Sequence, residues 1–306
     1  MYDHRNAGFQ RLFDGPMSYG LFYPITTSEE PIPPLDDQLA LGAHAETLGF
    51  DALWVRDVPT FSPAFDDAGQ VYDPWVFLAQ VAAATDDIAL ATGSIVLPLR
   101  HPIHVAKSAA SLDRLSDGRL VLGVASGDRP EEYPAFGVDE STFDRRFRES
   151  VETLRAVWSE EFPEVETGFG TMDGSLDVLP KPTRDTVPLL VTGYAGQSLE
   201  WIGANGDGWV YYQRDLDDLR AMIADWRSHA TDDAPFVQVL HLDLLDDPVA
   251  GPEPLRNGYR AGIEWVAEHV RGMEDCGVDH VMINVRHGGR DVHAVLEEFA
   301  EHVIEG

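Results

Sequence analysis

The chain has 306 residues, with 53 Asp plus Glu against 22 Lys plus Arg and a formal net charge of −31. Its 44% hydrophobic and 10% aromatic content supplies a large core and excludes general disorder. A field this negative opposes nucleic-acid phosphates and anionic membrane surfaces, and the single cysteine, Cys276, excludes a disulfide framework and a multi-cysteine zinc site.

Residues 1–16 are polar and charged, without the apolar core of a signal peptide. No run approaches the roughly 20 apolar residues that span a bilayer. A soluble, cytoplasmic protein with no nucleic-acid and no membrane partner is expected. Lys107 and Lys181 are the only lysines. An acidic, lysine-poor surface resembles those of proteins adapted to high salt, where screening relieves carboxylate repulsion, and points to a halophilic source.

Short apolar runs then alternate with amphipathic ones. Strand-like segments 19–25 and 52–55 flank a helical 35–48. A strand over 88–97, a helix over 101–115 and a strand over 120–125 follow. The helix over 143–158 aligns Phe147, Val151, Leu154 and Trp158 on one face. Residues 160–188, rich in Gly, Pro and acids, read as an insertion with a small hairpin at 168–179. The alternation resumes with strand 189–192 and helix 197–204, then strand 209–212 and helix 216–228. Strand 237–245 precedes helix 259–276, and strand 281–285 precedes helix 292–303. Eight β-then-α units without a second composition regime predict one α/β domain over 1–306. Its expected form is a closed (β/α)8 TIM barrel, interrupted between the fourth and fifth units.

In such a barrel the loops after the strands carry function. P-loop, dinucleotide-fold, hydrolase-elbow and zincin signatures are absent. His101 with His104 reads as a helix-start turn, and no metal is expected. The loop Thr192-Gly193-Tyr194-Ala195-Gly196-Gln197-Ser198 follows an apolar strand and opens a helix. It reads equally as an anion site and as an ordinary capped turn. Ser126-Gly127-Asp128-Arg129-Pro130 is a second glycine loop after a strand. Arg145, Arg146 and Arg148 either clamp an anion or pair with Asp139, Glu140, Asp144 and Glu149 on a solvated face. Ala91-Thr92-Gly93-Ser94-Ile95 puts small residues at a strand end, suited to a flat ligand or to a tight core.

A longer pattern joins these pieces. Thr92-Gly93-Ser94-Ile95-Val96-Leu97-Pro98-Leu99-Arg100-His101-Pro102, Ala106-Lys107 and Leu112-Asp113-Arg114-Leu115-Ser116-Asp117-Gly118-Arg119-Leu120 resemble the central signature of the bacterial luciferase-like flavin monooxygenases. The resemblance extends to Ala45-Glu46-Thr47-Leu48-Gly49-Phe50-Asp51, Leu179-Pro180-Lys181-Pro182 and Gly206-Asp207-Gly208-Trp209. It implies a barrel that binds FMN, or in some branches coenzyme F420, at the C-terminal mouth. It also implies a non-prolyl cis peptide at Gly93–Ser94 beneath the ring. The implied phosphate site uses Ser126 with Gly127, Arg145 and the run Thr192, Gly193, Tyr194, Ala195, Gly196, Gln197, Ser198, with Trp209 nearby.

Two positions depart from the family pattern. An acidic residue at the end of the second strand survives as Asp57, but the histidine that follows it in luciferases is Val58 here. Ser126 replaces a phosphate-binding arginine. The resemblance implies a monooxygenase using reduced FMN and O2 on a small organic substrate, fed by a separate flavin reductase and working as a homodimer. Asp57 is the expected base or orienting acceptor, with Arg56 or Arg100 near ring or substrate. Alternatively Asp57 pairs with Arg56, and Arg100 anchors its loop. F420-dependent hydride transfer is the rival activity; the arginines look scattered along the sequence, which places FMN first. A non-catalytic flavin-binding protein, suggested by Val58, is the other rival.

Overall fold

The computed structural model describes residues 3–25, 33–62, 72–231, 233–286 and 288–306. Eight parallel strands follow in chain order: β1 (Ser18–Tyr23), β2 (Ala52–Val55), β3 (Ala89–Thr92), β4 (Leu120–Ala125), β5 (Leu189–Thr192), β6 (Gly208–Tyr211), β7 (Phe236–Leu244) and β8 (His280–Asn284). Each pairs with the next, and β8 returns to β1 with Ser18 opposite His280. The sheet therefore closes into the expected TIM barrel.

The helices are α1 (Ala7–Phe13), α2 (Leu35–Thr47), α3 (Pro74–Ala84), α4 (Pro102–Leu115), the short α5 (Glu132–Ala135), α6 (Phe143–Ser159), α7 (Leu199–Asn205), α8 (Leu216–His229), α9 (Ile263–Cys276) and α10 (Val292–Phe299). The four residues aligned on the face of α6 are all buried, between 0% and 2% exposed. Each such side chain contributes on the order of 1.5–3 kcal/mol. Among the described residues no helix is long and apolar enough to cross a membrane.

Strand alternation sorts side chains into two cores. Ala52, Trp54, Ala89, Ala91, Val121, Leu190, Val210, Val237, Val239 and Met282 fill the barrel, joined by Leu12 of α1. Their neighbours along each strand face the helices in a larger cluster that includes Trp209, Trp226 and Phe236. Helix α1 closes the N-terminal end. The Asn6 side chain caps it by accepting from Phe9 N at 2.9 Å and donates to Asp113 Oδ1 and Leu120 O, both at 2.8 Å. Beside Leu12, Trp54 Nε1 donates to His280 Nε2 at 2.9 Å. The His280 ring is therefore protonated on Nδ1, which meets Ser18 Oγ at 2.6 Å, and that hydroxyl donates to Leu12 O at 2.8 Å.

Beyond helices α1 and α5, which that reading did not expect, four elements differ from the sequence reading. The strand expected over 88–97 ends at Thr92; after the cis peptide Gly93–Ser94 the chain rejoins the sheet at Ile95–Val96, against Val124 and Ala125. Helix α3 had no counterpart in that reading. Its first turn is capped by Asp73, which accepts from Trp75 N and Val76 N, with Pro74 at the first helical position. The hairpin of the insertion pairs Glu164–Thr167 with Gly170–Asp173, so it spans 164–173 rather than 168–179. At its far end Asp173 accepts from Ser175 N at 3.1 Å.

The fourth difference shapes the mouth. The helix expected from residue 259 begins at Ile263, because Gly258–Ala261 is a strand. It runs parallel to the top of β7, and Glu253–Leu255 pairs antiparallel to it. A Cβ on Gly258 would lie 1.8 Å from the His241 carbonyl oxygen, so only glycine lets the two backbones approach. The nine-residue β7 thus rises above its neighbours as a wall.

Candidate active site

The floor of the mouth is a step between β3 and β4. A Cβ on Gly93 would sit 3.4 Å from Trp54 Cε3 and 3.4 Å from Met282 Cε, so both side chains lie directly beneath the backbone. Gly93 N donates to Val55 O at 2.8 Å, and Thr92 Oγ1 donates to Gly123 O at 2.8 Å. Ser94 Oγ lies 2.5 Å from Thr192 Oγ1. One hydroxyl pair therefore joins the step to the end of β5.

The loop after β5 is tightly wound: Gly193, Ala195 and Gly196 have φ of +61°, +48° and +72°. Gln197 is its anchor, donating from Nε2 to Asp144 O at 3.1 Å and Ala195 O at 3.0 Å while Oε1 accepts from Arg148 Nε. Ser198 Oγ accepts from Trp201 N at 3.2 Å and caps α7. With only seven residues, α7 adds little dipole field to the loop. Tyr194 is exposed and leans on Tyr211 and Trp209 outside the barrel. Trp209, expected beside the cofactor, lies instead between barrel and helices against Trp226 and Phe236. It props the loop from behind, donating from Nε1 to Gly193 O at 2.7 Å.

The arginines of α6 diverge. Arg145, the expected phosphate ligand, is largely exposed and pairs with Glu149 at 2.9 Å, whose other oxygen accepts from Gly168 N of the insertion. It points away from the loop after β5. Arg146 donates to Pro98 O at 3.0 Å and covers the Phe169 ring at 4.2 Å. Arg148 is the one that reaches the loop, through Gln197. The Ser126 carbonyl accepts from Tyr133 OH at 2.7 Å, and a Cβ on Gly127 would lie 2.9 Å from Val96 Cγ1.

Asp57 and Arg100, both expected at the chemistry, hold each other. Asp57 accepts from Arg100 Nε at 2.7 Å, from Arg100 Nη2 at 2.6 Å and from Val96 N at 3.1 Å. Burial alone would lower the Arg100 pKa, but its hydrogen bonds to Asp57 raise it above the ordinary value. Both carboxylate oxygens are thus engaged, which ties Asp57 to the 94–100 segment. Asp57 also does not pair with Arg56, which lies over the Phe22 ring at 5.7 Å. Burial pushes the Arg56 pKa down, and the charge of Asp128 pushes back. The loops after β2 and β4 are tied together by Thr60, donating to Glu132 Oε1 at 2.7 Å and accepting from Arg129.

The sequence reading passed over His241 and Asn284. Val237 and Val239 face the barrel interior, so His241, two residues further on β7, shares that side, and Asn284 is its register partner on β8. Applying the period of two to the apolar run would have exposed it. Among the described residues no group of three His, Cys, Asp or Glu is placed to hold a metal. Two surface clefts, 730 Å³ beside α9 and 220 Å³ under the insertion hairpin, lie outside the mouth.

A barrel with this stepped floor and glycine-rich upper loops defines a class of protein. The sequence model of the luciferase-like monooxygenases matches residues 17–241, and the chain belongs to that family. It is 33% identical over 283 residues to an uncharacterized protein of Mycobacterium tuberculosis, covering 86% of this chain and 94% of that one. It is 32% identical over 194 residues to an F420-dependent hydroxymycolic acid dehydrogenase of the same organism, covering 62% of this chain and 52% of the relative. In fold it is similar to monooxygenase RslO1 from Streptomyces bottropensis, with a TM-score of 0.80 at 20% identity over 94% of this chain and 99% of that one.

Proposed function

We propose that the chain is a two-electron oxidoreductase that seats a phosphate-bearing flavin-type ring on the Gly93–Ser94 step. The observation that carries this is the meeting of step and loop: residues 98 apart in sequence put two hydroxyls in contact at one edge of a flat floor. The residues fit such a group. Gly93 presents bare backbone over Trp54 and Met282, and nothing stands within 4 Å of the Cβ position of Gly193 on the facing loop. Ser94 and Thr192 mark the ring edge, and Arg148 holds the loop that faces the phosphate. When bound, the ring supplies or accepts hydride; the chain binds it, orients it and excludes water.

The geometry favours F420 and hydride transfer over FMN and O2. Arg56, Arg129, Arg146, Arg148, Arg256 and Arg286 all stand on segments at the C-terminal ends of the strands. Scattered in sequence, they return to one end of the barrel, where Asp57, Asp128 and Asp243 also stand, in a chain of charge −31; a cofactor with a longer anionic tail would draw on them. The F420-dependent dehydrogenase relative supports this reading. A second reading, oxygenation with reduced FMN from a separate reductase, is supported by a 30% identical relative described as 4-hydroxyprotoasukamycin monooxygenase.

Anaerobic titration with F420 and with FMN, followed by alcohols and ketones or by oxygen, tests the proposal. Saturable F420 binding with alcohol or ketone turnover is expected. Binding of FMN with substrate oxidation coupled to O2 would establish the second reading. Binding without turnover across a broad panel would make this a flavin-binding protein, and no binding of either cofactor would overturn the proposal.

A further inference from the structure

The carboxylates around the mouth are already committed. Asp57 grips Arg100. Asp243, on β7, accepts from Arg260 Nε at 2.6 Å. Asp128, exposed on the loop after β4, faces the charge of Arg56. Two residues before Asp243 on the same side of β7 stands His241. One pair lower in the register, Val239 is opposite Met282, the residue under Gly93. His241 therefore lies one layer above the floor on which the ring is proposed to rest.

Beside its ring stands Asn284. That side chain is 5% exposed; its Oδ1 accepts from Arg286 N at 3.2 Å, and its Nδ2 stands 3.4 Å from His241 Nε2. The oxygen faces the Arg286 backbone, so the NH2 faces the ring. An amide NH2 only donates, which makes Nε2 the acceptor and places the proton of the neutral ring on Nδ1. At 3.4 Å this contact is a long one. The backbone of His241 is pinned as well, donating to Asn257 O at 2.8 Å.

We propose that His241 is the proton-transfer residue of this mouth, with Asn284 as its positioning residue, for a substrate carrying a hydroxyl or carbonyl. The inference rests on the hydride-transfer reading above. With F420 bound as the two-electron hydride acceptor, Nε2 would take the proton of the substrate hydroxyl as its C–O bond becomes a carbonyl. In reduction the same nitrogen returns the proton to the oxygen. Imidazole suits both directions because its ordinary titration range borders neutrality. Among the described residues, the charged and titratable groups on the elements around it include Asp243 with Arg260, Arg286 after β8, Tyr212 and Arg214 after β6, and Arg256 at the tip of the added hairpin.

His241→Gln and Asn284→Asp provide the test, read in two ways. In the apo protein, the proton NMR titration of the His241 ring, assigned by its loss in His241→Gln, is followed in the parent and in Asn284→Asp. A carboxylate at 284 should raise its midpoint by about one pH unit; an unmoved midpoint would overturn the positioning role. In the loaded protein, His241→Gln should bind F420 within about threefold of the parent but lose on the order of 100-fold or more in turnover. It should also lose the limb of the pH profile that Asn284→Asp displaces. Parent-like turnover with that limb intact in His241→Gln would overturn the proposal. Absence of F420 binding by the parent would instead remove the hydride-transfer reading beneath it.

Discussion

His280 is fully buried in the barrel floor, held neutral between Ser18 and Trp54, and burial pushes its pKa from 6.5 down to about 3. An unfolded chain protonates this ring below about pH 6.5 while the folded one does not. Folding stability therefore falls as pH drops through that window, by up to about 1.4 kcal/mol per unit from this residue, and is untouched above it. Urea unfolding at pH 7 and pH 5 should show a smaller loss for His280→Gln than for the parent; equal losses would refute the assignment. Residue roles were the least legible in sequence. Adjacency suggested Asp57 with Arg56, whereas the fold pairs Asp57 with Arg100 across 43 positions. Three neighbouring arginines looked alike, yet helix geometry sends Arg145 to the insertion and Arg148 to the loop after β5.

At the scale of elements, apolar periodicity located the eight barrel strands because each alternates or runs apolar against two cores. It failed where no face stood out. Helix α3 is apolar nearly all round, and only Asp73-Pro74 marks its start. The strand at Gly258–Ala261 begins with a glycine and merges into an amphipathic helix, so the sequence pattern shows no boundary there. The candidate floor was legible as a run of small residues, but its contact with Thr192 needed the closed barrel. Gly258 gives this scale its test. Gly258→Ala would drive a methyl into the His241 carbonyl and separate the hairpin from β7. The variant should lose about 2–4 kcal/mol in denaturant unfolding; parent-like stability would show that the hairpin is not held by that approach.

For the whole molecule, −31 net charge and an arginine-lined mouth oppose each other over different distances. At about 10 mM salt the screening length is roughly 30 Å, so an incoming anion feels the entire acidic shell. At about 0.1–0.3 M only groups within about 10 Å count, and there the carboxylates Asp57 and Asp243 are already offset by Arg100 and Arg260. Affinity for F420 should therefore rise between those salt concentrations in equilibrium titrations; a steady fall from low salt upward would mean that the arginines dominate at every range. The closed lower end has a further consequence. Leu12 and the Ser18–His280–Trp54 chain stop the barrel where α1 meets it, so whatever reaches the floor arrives and departs through one doorway. Ligands that share a doorway and stack one above the other must follow an order. The deeper one enters first and leaves last, and the shallower one, whether substrate or product, governs the other's exchange.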